Sequence, residues 1–420
     1  MSSATDNHRR FTTFPRRDYA RSTATAALAA GLLCGSAASA IAQDSRADVI
    51  RQEQAARQPQ LQPPHKNGVE RLVDRLEDWG FIAGQPNGIY PWVGSVYPGG
   101  GFAGGAGFRK PFGDDGSVNV FGGYSAARFA RAQGDVALPT FWSNRARVTL
   151  SGAYVDAPDV RYFGVGDDSR KEDATYFGYT PTTGGARLEV DVSKYLTVGG
   201  GVDYAYSDVS GGRTSPSIEE SFAPSNTPGL ELSSVKYIRS TARAAYDWRR
   251  RPGYSGRGGL YRVQFDDFHE RDNDLYSFQS LEAEVRQLIP IMRANWVIAL
   301  RGVATITDFG DADSVPFFLL PSIGGGSSVR GYQDFRFRDR NRVVFNAELR
   351  WTPARIVDMA IFYDAGKVTE RREDLDFNHL KDSFGIGMRL IGVKGYVFRV
   401  EAAHSKENNV RLIFSAGGVF

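Results

Sequence analysis

Beyond about residue 94, apolar and polar residues alternate with a period of two. In one segment, Ala186, Leu188, Val190 and Val192 alternate with Arg187, Glu189, Asp191 and Ser193. Such alternation predicts β-strands with one apolar and one polar face. About fourteen segments of this kind can be delimited, starting near 99–109, and one or two more are expected between 128 and 175.

A soluble sandwich and a membrane barrel would both alternate in this way. The segments are long enough to cross a bilayer at a tilt, and aromatic residues stand at their ends, as interfacial girdles require. Short connections contrast with two long ones, 209–234 and 309–340, and no run of 18 apolar residues follows residue 42. We therefore predict an all-β transmembrane antiparallel barrel over 94–420.

The first 42 residues have the features of an export signal. Five arginines precede a run of apolar and small residues, and Ala40-Ile41-Ala42 has the form of a cleavage site. A membrane anchor is the alternative, but the run is short and interrupted by Ser, Thr and Gly. We predict a cleaved signal peptide at 1–42, which removes Cys34, the single cysteine of the chain.

The segment 43–93 differs from both of its neighbours. It begins with a polar stretch rich in Gln, Arg and Pro, which predicts a periplasmic tether. Apolar residues then recur at spacings of three and four, which predicts an amphipathic helix near 69–79 ending at Gly80. This helix would either pack on the rest of the protein or lie on a membrane or across a pore mouth.

The charge and composition of the chain bear on which partners and sites the protein is expected to have. Removing the five cations and two anions of the signal from the 51 cations and 48 anions leaves 46 of each. A balanced chain gives no reason to expect a nucleic-acid partner. Glycine makes up about 11% of the chain, where roughly 7% is usual. The five histidines are scattered, and the sequence predicts no catalytic, metal or cofactor site.

A glycine-rich motif lies in the longest predicted loop. Residues 324–332 read Gly-Gly-Gly-Ser-Ser-Val-Arg-Gly-Tyr, and the two strands that follow contain Asn-Ala-Glu-Leu-Arg-Trp and Phe-Tyr-Asp-Ala-Gly. Here the chain resembles the bacterial surface antigen family of outer-membrane barrels, the superfamily of BamA and TamA. The resemblance is strongest over 320–420 and extends more weakly to about residue 95.

The resemblance implies a barrel of roughly sixteen strands and a loop that folds back into its lumen with Val329, Arg330, Gly331 and Tyr332 at the tip. Alternation places Glu348 and Asp364 on the polar face of their strands, so both carboxylates should point into the lumen. A guanidinium can bind such carboxylates in a fork geometry. The hypothesis is that Arg330 pairs with Glu348 and Asp364, as the corresponding arginine does in the family; the alternative is a solvated external arginine.

Two further features concern the ends of the predicted barrel. The resemblance also implies a weak seam between the first and last strands. Gly104, Gly105 and Gly107 crowd the predicted first strand, and Gly417 and Gly418 lie in the last. Glycine weakens a strand, which agrees with such a seam; the alternative is that these glycines allow tight curvature or a bulge. In the last strand, Phe414 and Phe420 share a face. A terminal aromatic there resembles the signal by which the outer-membrane assembly machinery recognises its clients.

By resemblance, the protein takes part in inserting or assembling proteins or lipids at the outer membrane. Its expected partners are outer-membrane lipids, the assembly machinery during biogenesis and clients that the sequence does not identify. One departure is that family members carry periplasmic POTRA domains of about 75 residues, which do not fit between Gln43 and Gly94. A passive channel or structural barrel is the alternative function, and an outer-membrane hydrolase is a remote one.

Overall fold

The computed structural model describes residue 71 and residues 87–249, 256–291, 295–307, 315–354, 356–392 and 395–416. The predicted signal peptide, most of the tether and the predicted helix near 69–79, apart from Arg71, lie outside these residues. So do Gly417, Gly418 and Phe420. In the described part of the chain, no helix is both long and apolar enough to span a membrane.

Sixteen antiparallel strands form one sheet that curls into a nearly closed barrel. Along the chain they are β1 (Gly88–Gly94), β2 (Ala103–Phe112), β3 (Gly116–Ser125), β4 (Ala130–Ala137), β5 (Ala146–Tyr162), β6 (Thr175–Asp191), β7 (Leu196–Gly211), β8 (Ser234–Asp247), β9 (Gly258–Glu270), β10 (Phe278–Ile291), β11 (Trp296–Ile306), β14 (Asn341–Ala354), β15 (Val357–Thr369), β16 (Lys381–Gly392), β17 (Gly395–Ser405) and β18 (Arg411–Ala416). A separate two-stranded hairpin consists of β12 (Ser322–Ile323) and β13 (Phe337–Arg338).

The helical content of the described residues is small. One α-helical turn, α1, covers Ile218–Ser221, and 3-10 turns occur at Lys171–Asp173, Pro224–Asn226 and Arg372–Asp374. All of them lie in connections between strands. The predicted all-β barrel of sixteen strands is therefore confirmed.

Each barrel strand has an outer apolar face and an inner polar face. On the outer wall, Leu188, Val202, Val263 and Ile361 are all more than 40% exposed. The residues between them in sequence turn inward, where arginines and carboxylates pair across neighbouring strands, as Arg239 does with Asp203 at 2.7 Å. This arrangement follows from the period-two pattern, because successive side chains of a strand point to opposite faces.

The beginning of the barrel differs from the prediction in two respects. The sheet starts at Gly88, before the predicted boundary at residue 94, and the segment predicted as the first strand is β2. The prediction failed because β1 is only seven residues long and its Pro91 interrupts the alternating pattern. Between 128 and 175, the structure contains β4, where one or two further strands were expected, and β5 extends to Tyr162.

The connections give the barrel two different ends. At one end, hereafter the short-turn end, connections such as 113–115, 192–195 and 355–356 join neighbouring strands. At the opposite, long-loop end lie the connections 163–174, 212–233, 307–340 and 370–380. The largest buried apolar cluster lies at the long-loop end, where Tyr162, Phe177, Tyr237 and Phe317 pack together with other aromatic side chains.

The first strand is held to its neighbours by aromatic rings that lie on glycines. The Tyr90 hydroxyl donates to Asn119 Oδ1 on β3 at 2.6 Å, and a Cβ at Gly107 would lie only 2.2 Å from the Tyr90 ring. In the same way, a Cβ at Gly123 would lie 2.2 Å from the Trp92 ring. These glycines are required by close approach of side chains, so part of the glycine excess has a packing role.

We predict that Gly107→Ala lowers the thermal stability of the barrel, whereas Gly104→Ala does not. A Cβ at Gly104 meets nothing within 4 Å, while one at Gly107 collides with a tyrosine fixed by its hydrogen bond. Overpacking of this kind costs about 1–3 kcal/mol. The temperature at which the folded band is lost in unheated versus heated gel electrophoresis measures the effect. Equal transition temperatures for the two variants would contradict the packing role of Gly107.

Candidate functional site

The loop between β11 and β14 turns back into the barrel and carries the candidate site at its tip. The hairpin β12–β13 forms its stem, and the tip runs from residue 324 to residue 336. Gly324 and Gly325 have φ angles of 108° and 91°, which disfavour residues with a side chain. The Ser328 hydroxyl closes the turn, because it donates to the Gly324 carbonyl at 2.8 Å and accepts from the Gly324 amide at 2.9 Å.

Arg330, at the centre of this tip, is fully buried in the lumen. Its Nε and Nη2 donate to the two oxygens of Asp364, each at 2.7 Å, and its Nη1 donates to Glu348 Oε1 at 2.7 Å. The Arg330 backbone amide also donates to Asp364 Oδ2 at 3.1 Å. The guanidinium carbon lies 3.5 Å from the centre of the Phe362 ring. The structure thus brings Arg330, Glu348 and Asp364 together in the fork geometry that the sequence suggested.

The contacts extend to side chains of two more strands. Glu401 on β17 accepts from Arg330 Nη1 at 2.9 Å, and Arg389 on β16 donates to both Glu348 and Glu401, at 2.7 and 3.2 Å. Arg350 donates to Glu348 at 2.6 Å, and Arg399 lies 3.4 Å from Glu401. We call this set the lumen ion cluster: Arg330, Arg350, Arg389, Arg399, Glu348, Asp364 and Glu401.

Every charged side chain of the lumen ion cluster is almost completely buried. Asp358, also buried, lies directly opposite Arg389 in the β15–β16 register. With it, four arginines stand near four carboxylates, so the charges balance. This charge balance stabilises the folded barrel, because burying an ion without a partner costs several kcal/mol of folding free energy. The cluster therefore fixes the loop tip against β14, β15, β16 and β17 as one unit.

The residues beside Arg330 in the motif each make a packing contact that accounts for their identity. A Cβ at Gly331 would lie 2.6 Å from Ser383 Cβ and 2.7 Å from Ser405 Cβ, so only glycine fits between β16 and β17. Val329 packs in an apolar cluster with Ile323, Phe337 and Val344. Tyr332 belongs to the same cluster, and burial raises its pKa to about 12.

Two further arginines, Arg336 and Arg338, hold the loop near its stem. Arg336 binds Glu407 through Nε and Nη2, at 2.8 and 2.7 Å, and donates to the Ser169 carbonyl at 2.7 Å. Arg338 is buried among aromatic rings, 4.4 Å from Phe335 and 5.6 Å from Phe177, and donates to backbone carbonyls. Arginine side chains of the loop therefore contact the barrel on several sides.

A polar cavity lies on the other side of the lumen, at the short-turn end. Its volume is about 640 Å³, and it is lined by arginines and carboxylates of β5, β6, β8, β9 and the neighbouring connections, among them 113–115. Several of them form partly exposed ion pairs, such as Arg147–Asp115 at 2.5 Å and Arg243–Glu189 at 2.6 Å. Among the described residues, no group of three or more His, Cys, Asp or Glu side chains could hold a metal ion.

The remaining predicted site residues do not belong to the lumen ion cluster or to the loop tip. Gly104, Gly105 and Gly107 belong to β2, not to the first strand, so the prediction that they form one edge of the seam is wrong. The structure has β1 before them. The alternating pattern did not reveal β1, because this strand is short and contains a proline. Phe414 is 58% exposed on the outer face of β18.

Sequence reasoning missed Glu401, Arg389 and Asn346 as members of this site. The Asn346 side chain donates to Asp364 Oδ1 at 2.8 Å and to the Ser328 carbonyl at 2.7 Å. Alternation along β16 and β17 had placed Arg389 and Glu401 on the polar face. The alternating pattern does not give the register of the strands. The register determines the position along the barrel axis at which each side chain meets the loop tip.

Comparison with known protein families gives one match, to a model described as the Omp85 superfamily domain, over residues 112–395. A search of curated protein sequences finds no match. The matched region includes the loop tip, Glu348, Asp364 and Arg389, and it ends before Glu401.

Among solved structures, the barrel is similar to BamA from Haemophilus ducreyi lacking POTRA domains 1–3. The TM-score is 0.56 at 15% identity, and the match covers 83% of this chain and 78% of that one. CdiB from Escherichia coli is also similar, with a TM-score of 0.54 at 15% identity and coverage of 79% and 63%. At these identities the likeness concerns the fold.

We predict that Arg330→Lys lowers the thermal stability of the barrel much more than Arg243→Lys. Lysine keeps the charge but offers one compact ammonium group, so it cannot bind Asp364 with two parallel bonds while reaching Glu348 and Glu401. Arg243 is the control because it also pairs with a carboxylate but is 30% exposed. Midpoints of the heat-dependent gel shift of both purified variants provide the measurement. If Arg330→Lys and Arg243→Lys have the same midpoint temperature, the fork geometry does not stabilise the barrel as proposed.

We also expect Glu401→Gln to be destabilising by about 3–5 kcal/mol, since it leaves a buried cluster with an excess positive charge. The amide keeps the size of the side chain, so packing is preserved. Glu189→Gln is the matched control, because Glu189 pairs with an arginine in a partly exposed site. Urea unfolding of the two variants in lipid vesicles measures the difference. A loss at Glu401 no larger than at Glu189 would show that Glu401 is dispensable.

Proposed function

Because the chain belongs to the Omp85 superfamily, we propose that it inserts or assembles proteins or lipids at the bacterial outer membrane. Members of this superfamily are outer-membrane barrels. We infer that this chain reaches the membrane by a cleaved signal peptide at residues 1–42, and that residues 43–87 serve as a periplasmic tether. Its partners would be outer-membrane lipids, the assembly machinery during its own biogenesis and client proteins.

The observation that best supports an insertion role is the junction between the two ends of the sheet. β1 and β18 stand at its two ends, and within the described residues neither forms a ladder with the other. Exposed strand edges can add another strand through backbone hydrogen bonds. A client segment could therefore pair at this junction and leave the barrel sideways into the membrane.

A passive channel is the second candidate, and the polar cavity at the short-turn end favours it. The opposite end argues against a permanently open pore, since aromatic residues of the strands and of the loop, among them Tyr162, Phe177 and Phe317, pack together there. Ring centres of Phe177 and Phe317 are 4.9 Å apart. The cavity is thus better explained as a space on the periplasmic side of a closed barrel.

Depletion of the protein in its host tests the proposal. We expect a defined set of outer-membrane proteins or lipids to decrease, as measured by quantitative mass spectrometry of the outer-membrane fraction. The wild-type chain and the control variant Arg243→Lys should restore this set, whereas Arg330→Lys should restore less of it. An unchanged outer-membrane composition together with a large, stable conductance of the purified protein would favour the channel and contradict insertion.

A further inference from the structure

The connection between β4 and β5, residues 138–145, exposes three apolar side chains at the short-turn end of the barrel. Leu138, Phe141 and Trp142 are 37%, 48% and 71% exposed. Among the residues that the structure describes, none forms a ring contact or a side-chain hydrogen bond with the Trp142 indole. We call residues 138–145 the β4–β5 turn. Packing within the chain does not account for a tryptophan at its tip.

The backbone at this tip is held in a disfavoured conformation. Trp142, Ser143 and Asn144 have φ angles of 55°, 57° and 60°, so three successive residues with side chains lie in the left-handed region. The Phe141 amide closes the turn by donating to the Ala146 carbonyl at 2.9 Å. Backbone strain of this kind is found most often at functional positions, where the surrounding structure maintains it.

Hydrogen bonds fix the β4–β5 turn to both neighbouring connections. The backbone amide and the hydroxyl of Thr140 donate to the two carboxylate oxygens of Asp115, at 2.8 and 3.0 Å. On the other side, the Asp191 amide donates to the Arg145 carbonyl at 2.7 Å. Trp142 therefore stands on a rigid support, which lowers the conformational entropy that a contact made by its ring would cost.

The exposed side chains of this turn continue the outer wall of the barrel. Phe141 and Ala146 are bridge partners, so their side chains lie on the same face of the sheet. Ala146 shares that face with Leu150, which is 45% exposed on the outer wall, because residues four apart in a strand point the same way. Phe141 is thus at the short-turn edge of the surface that faces lipid.

Aromatic rings mark the same edge on the strands that follow. Tyr195, Tyr246 and Tyr261 form a row with ring centres 6.0 and 6.4 Å apart, and Trp296 stacks on Trp351 at 5.5 Å. Such rings lie at the headgroup layer of a bilayer. The β4–β5 turn adjoins the connection that carries Tyr195, because β5 pairs with β6. Its exposed side chains are therefore continuous with a surface that phospholipid covers.

We propose that Phe141 and Trp142 insert into the headgroup layer of the phospholipid leaflet at the short-turn end, so that the β4–β5 turn anchors the barrel there. An indole suits this position, because its ring is apolar and its N–H is polar. The polar side chains of the same turn, those of Thr140, Asn144 and Arg145, line the polar cavity. The anchor and this part of the cavity rim are thus one rigid unit. The proposal requires a membrane barrel and does not depend on the insertion role.

The position of the turn relative to lipid can be measured on the purified protein. Trp142→Cys and Phe141→Cys each receive a nitroxide label in a Cys34→Ser background, since Cys34 is the single cysteine of the chain. Reference labels are Leu300→Cys, on the outer wall of β11, and Asp114→Cys, in a connection that lines the polar cavity. Power-saturation spin resonance in nanodiscs of phosphatidylethanolamine and phosphatidylglycerol compares collisions with oxygen, which enters lipid, and with a water-soluble nickel chelate.

We expect the ratio of oxygen to nickel accessibility at positions 141 and 142 to lie between the two references and severalfold above that of Asp114→Cys. Only variants that keep the folded band in gel electrophoresis are compared, and either of the two positions suffices. A ratio equal to that of Asp114→Cys at the positions that fold would overturn the proposal. That result is the one expected of a turn that stands in water and docks a periplasmic protein.

Urea unfolding in vesicles of the same two lipids tests whether this contact stabilises the barrel. Trp142→Ser should lower the folding equilibrium constant roughly tenfold, the effect of returning part of one large aromatic side chain to water. Trp142→Tyr should lose much less, since tyrosine keeps a ring with a polar end. Ser143→Ala is the control, because it changes the same turn and keeps the indole. Equal unfolding midpoints for Trp142→Ser and Ser143→Ala would contradict anchoring.

Discussion

The structure depends on one constraint, the burial of the Arg330 charge inside a barrel. Three carboxylates compensate the cost of burying this guanidinium, and lysine would not bind three carboxylates in the same way. Asp364, Glu348 and Glu401 come from three strands, so the charge of one loop residue holds three strands at a fixed height relative to each other. Removing that charge would leave three buried anions facing a reduced number of cations.

The position of this cluster divides the lumen into two parts. Along β14 to β17, the loop tip fills the space, and ions and small residues such as Gly331 are packed without room for a methyl group. Along β5 to β9, the ion pairs are partly exposed and surround a cavity of about 640 Å³. Beside the filled part, the tip contacts β18 through Arg411 and the connection between β1 and β2 through Phe335. The same loop that carries Arg330 into the cluster therefore also contacts elements at both ends of the sheet.

Period-two alternation predicted most of the strands, since it reports directly which side chains face lipid. It failed at β1, where seven residues with a proline carry too short a pattern. It gave no bounds for β4, which lies where a further strand was expected, because Gly134 and small alanines blur the two faces. The consequence was an error of one strand in placing Gly104, Gly105 and Gly107. Their packing role under Tyr90 could not be inferred, because it depends on a strand that the pattern did not reveal.

The sequence by itself determined the barrel class, the inward direction of Glu348 and Asp364, and the motif around Arg330, because alternation and residue chemistry are local properties. Only the tertiary structure decided that Glu401 and Arg389 complete the ion cluster and that Arg411 contacts the loop tip. Glu401 lies 71 residues from Arg330 along the chain, and Arg411 lies 77 residues from Asp334. Such contacts are set by strand register and by the path of the loop through the lumen, which neighbouring residues in sequence do not encode.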